Sequence, residues 1–254
     1  GAADRLPAVV VRREGAVITA ERLAAYEAVC GVKGFGVVPP VMPEVLFLGS
    51  MVEVALHPAM PLSPLGLIHV RQEVTVRAWI RPGEALDLET ELAEGRRTAR
   101  GVEVDLRTTA RRAGEVVWEG VTTLLSRDAA TRSRVGVERD ATVREGFDVD
   151  VPEDVGRRYA AVSGDYSPHH LYGWTARWVG YRQPIAHGMW TLAFLLGYVD
   201  VAGLGLPFTV QAAFKRPLYL PGSMRVAVED EGAPLLVEAM DPRRGAPLVR
   251  VVVG

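Results

Sequence analysis

Apolar positions fall along the chain in a pattern that is written twice. Thr19 precedes Ala20-Glu21-Arg22 and gives a helix start signal, and the helix it opens runs into Tyr26-Glu27-Ala28-Val29-Cys30-Gly31. Val45–Leu56 follows as a short, almost wholly apolar helix. The pattern then changes to strands over Leu67–Ile80, Ala85–Leu92, Val102–Ala110 and Val116–Leu125, with alternation such as Val102, Val104, Leu106. The second round has a start signal at Asp150, ahead of Pro152-Glu153-Asp154, and a helix ending in Tyr159-Ala160-Ala161-Val162-Ser163-Gly164. A second apolar helix, Ile185–Leu196, precedes strands at Phe208–Leu220, Met224–Glu229, Leu235–Met240 and Leu248–Val253. Gly114 and Gly245 sit where hairpin tips are expected.

The two rounds align in order. A shift of 139 residues carries Gly49 onto Gly188 and Pro82-Gly83 onto Pro221-Gly222, while the Tyr motifs are 133 apart. The second copy therefore holds about six extra residues between its Tyr motif and its apolar helix. Ser126–Asp150, polar and charge-dense, suits a surface connection. The expected organisation is residues 1–126 as one unit, 127–150 as linker and 151–254 as a second unit. A helix apolar on every side, such as Met189–Tyr198, must be buried all round, and an antiparallel sheet curled about it does this. The predicted fold class is α+β, a double hot dog with two curled antiparallel sheets, each wrapped around a central apolar helix.

Composition narrows the function. With 254 residues and a net charge of −2, the chain lacks the basic excess of a nucleic-acid binder. One cysteine, Cys30, excludes a disulfide framework and cannot by itself build a zinc site. No basic stretch followed by a long apolar run opens the chain, and the longest apolar run, Met189–Val199, is far short of a membrane span. The expectation is a cytoplasmic protein without a membrane span.

The candidate chemistry lies in the insertion. Asp165 and His170 stand on a loop between two helices, where Gly164 eases the turn and Pro168 stiffens it. A carboxylate and an imidazole on one stiff loop suit acid–base work on a bound water, although the spacing alone also fits a turn-capping Asp and a surface His. A metal held by Asp165, His169, His170 and His187 is a weaker alternative, since adjacent histidines point apart and no Cys or further acid supports them. No metal is assigned.

Tyr159, Ser163-Gly164-Asp165, Pro168, His170, Ala176, Gly180 and Ile185-Ala186-His187-Gly188-Met189 resemble the signature of the MaoC-like or hydratase 2 family, the (R)-specific enoyl-CoA hydratases. Two positions depart from it: Ser167 stands where the family has Asn, and His169 where it has an aliphatic residue. The resemblance implies reversible syn hydration of a trans-2-enoyl thioester to the (R)-3-hydroxyacyl thioester, with Asp165 and His170 holding the water. It implies no cofactor, because coenzyme A or phosphopantetheine enters as part of the substrate, an acyl-CoA or acyl-carrier-protein thioester. Gly188, at the head of its helix, is the candidate donor to the thioester carbonyl. His187 is expected to shape that helix start and, with Ser167, Arg182, Lys215 and Arg216, is a candidate substrate contact; the cations would meet phosphates, although solvated strand-edge charges fit them as well. The first copy has Cys30-Gly31-Val32 and Leu48-Gly49 where the second has Ser163-Gly164-Asp165 and His187-Gly188, so it is expected to be inactive. Its histidines, His57 and His69, have no acidic partner at a useful spacing. Two chains could pair as a homodimer of double hot dogs. The competing readings are a hot-dog acyl thioesterase and a non-catalytic acyl-thioester-binding subunit. No Gly-x-Ser-x-Gly elbow is present, which argues against a serine esterase.

Overall fold

The structure, a computed structural model, describes residues 8–127, 144–229 and 234–254, apart from 33, 35, 59, 61, 64, 65 and the side chain of 202. Most of the expected linker, residues 128–143, thus lies outside the described residues. The first half runs β1 (Val10–Val17), α1 (Ala20–Cys30), α2 (Glu44–Ala55), β2 (Leu67–Val76), β3 (Ala85–Thr98), β4 (Gly101–Arg112) and β5 (Glu115–Arg127). The second runs β6 (Phe147–Val151), α3 (Val155–Ser163), α4 (Gly173–Trp178), α5 (Gly188–Leu196), β7 (Phe208–Phe214), β8 (Gly222–Glu229), β9 (Leu235–Met240) and β10 (Pro247–Val253).

The local signals explain the helix ends. The Thr19 hydroxyl accepts the Arg22 N–H at the start of α1. Gly31 and Gly164 close α1 and α3 in the left-handed conformation, at φ 66° and 86°, which is why both Tyr motifs end in glycine. Asp150 does not start α3: it lies in β6, which pairs with β8, and the helix begins five residues later at Val155. The linker expected over 127–150 thus gives up residues 147–150 to a strand. The strand drawn over Phe208–Leu220 stops at Phe214, ahead of Pro217 and the cis Leu220–Pro221 bond.

The two sheets join into one. The order β1-β3-β4-β5-β2-β7-β10-β9-β8-β6 places the first half beside the second, with the same internal order in each. The junction is antiparallel pairing of β2 with β7, in which Arg71 faces Ala213 and Val74 faces Val210. Shifting either pair by the repeat offset of 139 returns the other, so the seam is a local two-fold. α5 lies in the curl of the second half, with Trp190, Leu192, Leu195 and Leu196 buried. α2 is less enclosed than an all-apolar helix suggests, since Val52 is exposed. The core crosses between halves: the Trp190 indole N–H donates to Val29 O, and the Arg22 Nε to Val162 O.

Glu44 is a buried carboxyl at the first turn of α2, beside Thr122 and Gln72. Burial pushes its pKa from 4.5 up to about 7. The Thr122 hydroxyl has a single hydrogen for Gln72 Oε1 and Glu44 Oε1, so a protonated Glu44 resolves the contest by donating to Thr122. Because the folded value exceeds the unfolded one, the folded state loses stability as pH rises from the ordinary carboxyl range towards 7. Glu44→Gln is expected to be the more stable protein near pH ~8, by up to about 3 kcal/mol, with no advantage below pH ~4.5. Urea unfolding of both proteins across that range checks it; a pH-independent difference would show that Glu44 does not carry a proton in the fold.

Candidate active site

α3 ends at Gly164, and the chain turns at once into the extra segment of the second copy. Asp165 N–H donates to the Ser163 hydroxyl at 3.1 Å, and the Asp165 Oδ1 accepts the Ser167 N–H at 3.0 Å and its hydroxyl at 2.5 Å. Ser167, a candidate substrate contact, therefore spends its donors fixing the carboxylate, leaving Oδ2 for other work. Pro168–His170 forms one 3₁₀ turn. Gly156 of α3 lies against it so closely that a Cβ there would stand 2.0 Å from His170 O.

The other wall is the stretch leading into α5. Ile185 N–H donates to His169 O at 3.0 Å, and His170 Nδ1 lies 2.8 Å from Ile185 O. A carbonyl only accepts, so Nδ1 carries the hydrogen and Nε2 keeps its lone pair. His187 Nε2 is 3.0 Å from Asp165 O, which by the same reasoning leaves the lone pair on Nδ1. That Nδ1 is buried and has no hydrogen-bond partner. The two imidazoles stack with centroids 3.6 Å apart. One polar atom each from Asp165, His170 and His187 lie within 4.8 Å of one another. A single oxygen at their centre would sit about 2.8 Å from all three, a normal hydrogen-bond length. The same three could present themselves to a metal ion; His169, counted with them in the sequence, is not in this cluster.

Burial holds the His170 pKa well below 6.5, with His187 and His169 adding to the effect, and it lowers His187 despite the opposing Asp165 carboxylate. Both rings are neutral at ordinary pH. His187 does more than shape the helix start: its ring stacks on His170 and its Nε2 holds the Asp165 backbone.

α5 begins at Gly188, whereas its counterpart Gly49 lies inside α2, which is wound from Glu44. The second copy has thus unwound the turn that in the first copy precedes the glycine. This frees the Gly188 N–H from intrahelical pairing and leads Ile185 and His187 into the site. A Cβ on Gly188 would meet the Phe214 ring at 3.0 Å. Of the proposed cations, Arg182 lies over the Tyr219 ring at 4.2 Å, and Arg216 donates to Pro247 O. Lys215 is exposed directly after Phe214. His69, set aside for lack of an acidic partner in sequence, packs on the Phe214 ring with centroids 4.7 Å apart.

Residues 129–234, which contain this cluster, match the family model described as MaoC like domain. Over 248 residues the chain is 29% identical to 3-hydroxyacyl-thioester dehydratase X of Mycobacterium tuberculosis, covering 93% of this chain and 86% of that one. The crystal structure of HtdX from the same organism superposes with a TM-score of 0.83 at 26% identity, covering 96% and 99% of the two chains. A MaoC-like dehydratase from Phytophthora capsici superposes with a TM-score of 0.79 at 18% identity, over 99% and 97%. The domain match encloses the Asp–His loop and the doubled fold is shared end to end, so this chain is similar to the MaoC-like dehydratases.

Proposed function

We propose that the protein catalyses reversible hydration of a trans-2-enoyl thioester, giving the (R)-3-hydroxyacyl thioester by syn addition. The observation that carries the reading is the gathering of Asp165, His170 and His187, one polar atom of each within 4.8 Å of the others. Two of these groups offer acceptors: the His170 Nε2 lone pair and an Asp165 carboxylate oxygen. A water held there gives a hydrogen to the Asp165–His170 pair, and a lone pair of its oxygen is left to point at carbon 3 of the substrate.

In the forward step the water O–H breaks as oxygen bonds to carbon 3, and its proton passes to the Asp165–His170 pair. The carbon 2–carbon 3 electron pair moves towards the thioester oxygen, and the enolate so formed takes the proton at carbon 2 from the Asp165–His170 pair. The base and acid roles are assigned to the pair together. The Gly188 N–H and the positive end of α5 stabilise the enolate oxygen, a contribution of about 3 kcal/mol for one preorganised donor. Arg182, Lys215 and Arg216 are the candidate cations for the phosphates of a coenzyme A or phosphopantetheine arm. The similarity to a 3-hydroxyacyl-thioester dehydratase supports the substrate class.

The test is loss of enoyl absorbance with a parallel free-thiol assay. Hydration removes the absorbance without releasing thiol; thiol release would instead select a thioesterase, and no change in either a non-catalytic binder. Because the His170 pKa is depressed, the neutral ring persists as pH falls through 6.5, so kcat/KM should stay level there and decline only in more acid solution. A decline centred near 6.5 would rule out the buried His170 as the titrating group.

A further inference from the structure

The first copy was expected to be inactive, yet one of its side chains is steered towards the second copy, onto the Phe214 ring beside Gly188. On a regular strand His69, Arg71 and Glu73 would share a face, the outer face on which Arg71 pairs with Glu103. Between His69 and Arg71 the β2–β5 register slips: His69 faces Leu124, Arg71 faces Thr123, and Val70 is extra. Such a bulge re-aims a side chain. His69 accordingly leaves the outer face and packs edge-on against Phe214, with centroids 4.7 Å apart. Phe214 is the residue whose ring covers Gly188.

The ring is fixed. His69 Nε2 lies 2.9 Å from Arg71 O, so Nε2 carries the hydrogen and Nδ1 is an acceptor. Burial lowers its pKa to about 4 against the pull of Arg71 O, Gln72 and Asp165, so the ring stays neutral. The ring is thus a neutral acceptor beside Phe214, the neighbour of Gly188, in a site where a substrate changes from carrying no donor to carrying one, the hydroxyl at carbon 3.

Building on the hydratase reading, we propose that His69 is a substrate-positioning residue supplied by the inactive copy, its Nδ1 accepting a hydrogen bond from the 3-hydroxyl of the hydroxyacyl thioester. The contact exists with the hydroxyacyl form and in the transition state, and it is absent from the enoyl form. Losing it should therefore read differently in the two directions. Dehydration by His69→Phe should show KM raised about tenfold with kcat within twofold; hydration should show kcat lowered about tenfold with KM within twofold. The reaction's equilibrium constant requires kcat/KM to fall by one factor in both directions, which is an internal check.

Two conservative variants separate this role from a structural one. His69→Asn places an amide oxygen where Nδ1 sits and should stay near the parent. His69→Gln matches the Nε2 position that holds Arg71 and should behave like His69→Phe. The reverse order, all three variants within twofold of the parent, or kcat falling equally in both directions along with the melting temperature would each overturn the proposal. An unsubstituted chain that hydrates no enoyl thioester would instead overturn the hydratase reading, and the role of His69 with it.

Discussion

Asp165→Asn and His170→Asn should each lower hydratase activity by about a thousandfold while leaving the fold in place, within the range lost with a positioned acid–base group. The substitutions are matched to the local bonds. Asn at 165 keeps an oxygen for the Ser167 N–H and hydroxyl and removes the charge. Asn at 170 can still donate to Ile185 O from the position of Nδ1 while the reactive Nε2 is gone. His170→Ala should be equally inactive and less stable, since it strands the Ile185 carbonyl in a buried place at a cost of about 1–3 kcal/mol. Enoyl-thioester absorbance and thermal unfolding together decide the matter. Either Asn variant, folded and within tenfold of full activity, would remove its residue from the mechanism.

Gly156→Ala should be nearly as damaging although it touches no substrate. The added carbon would stand 2.0 Å from His170 O and 3.1 Å from its carbonyl carbon, and a backbone atom cannot rotate aside as a side chain can. Either α3 withdraws or the Pro168–His170 turn moves, and a shift of about 1 Å at the imidazole is enough to cost a hundredfold in rate. Overpacking of this kind destabilises by about 1–3 kcal/mol, several degrees of melting temperature for a chain of this size. The expected result is a folded, less stable protein with at most about a hundredth of the activity. Unchanged kinetics would mean that the turn tolerates displacement and that the His170 position is not critical.

The parts of the molecule that were legible in the sequence are those set by local chemistry. The buried helix of the second half showed as an uncharged run, the C-caps as Gly31 and Gly164, and the Asp165–His170 loop as residues between two helices. The repeat offset read from Gly49 and Gly188 reappears in the β2–β7 pairing. What was missed depends on partners remote in the chain. β1 and β6 are the outermost strands of the sheet; β1 carries charge and β6 spans only Phe147–Val151, so neither shows a strong apolar alternation. Gly156 is marked by nothing nearby, because its reason is the backbone of His170. His69 is set by a bulge, and its neighbour Phe214 lies far off in sequence. No spacing rule reaches such a residue.

The β2–β7 seam also bears on how the two copies were free to diverge. Had the halves remained separate identical chains, the seam would form only above some concentration, and each substitution would appear on both sides of it. Joined in one chain, the halves meet at a local concentration set by the connection, so their mutual affinity can be modest without loss of assembly. Each change is then made once. One copy could unwind the turn before its glycine while the other kept that turn wound from Glu44, with Leu48 in place of a histidine. A residue such as His69 could be aimed across the seam with no twin to accommodate. The covalent connection converts a symmetric pair into a machine with distinct parts, whose single site should keep the same activity per chain however far the protein is diluted.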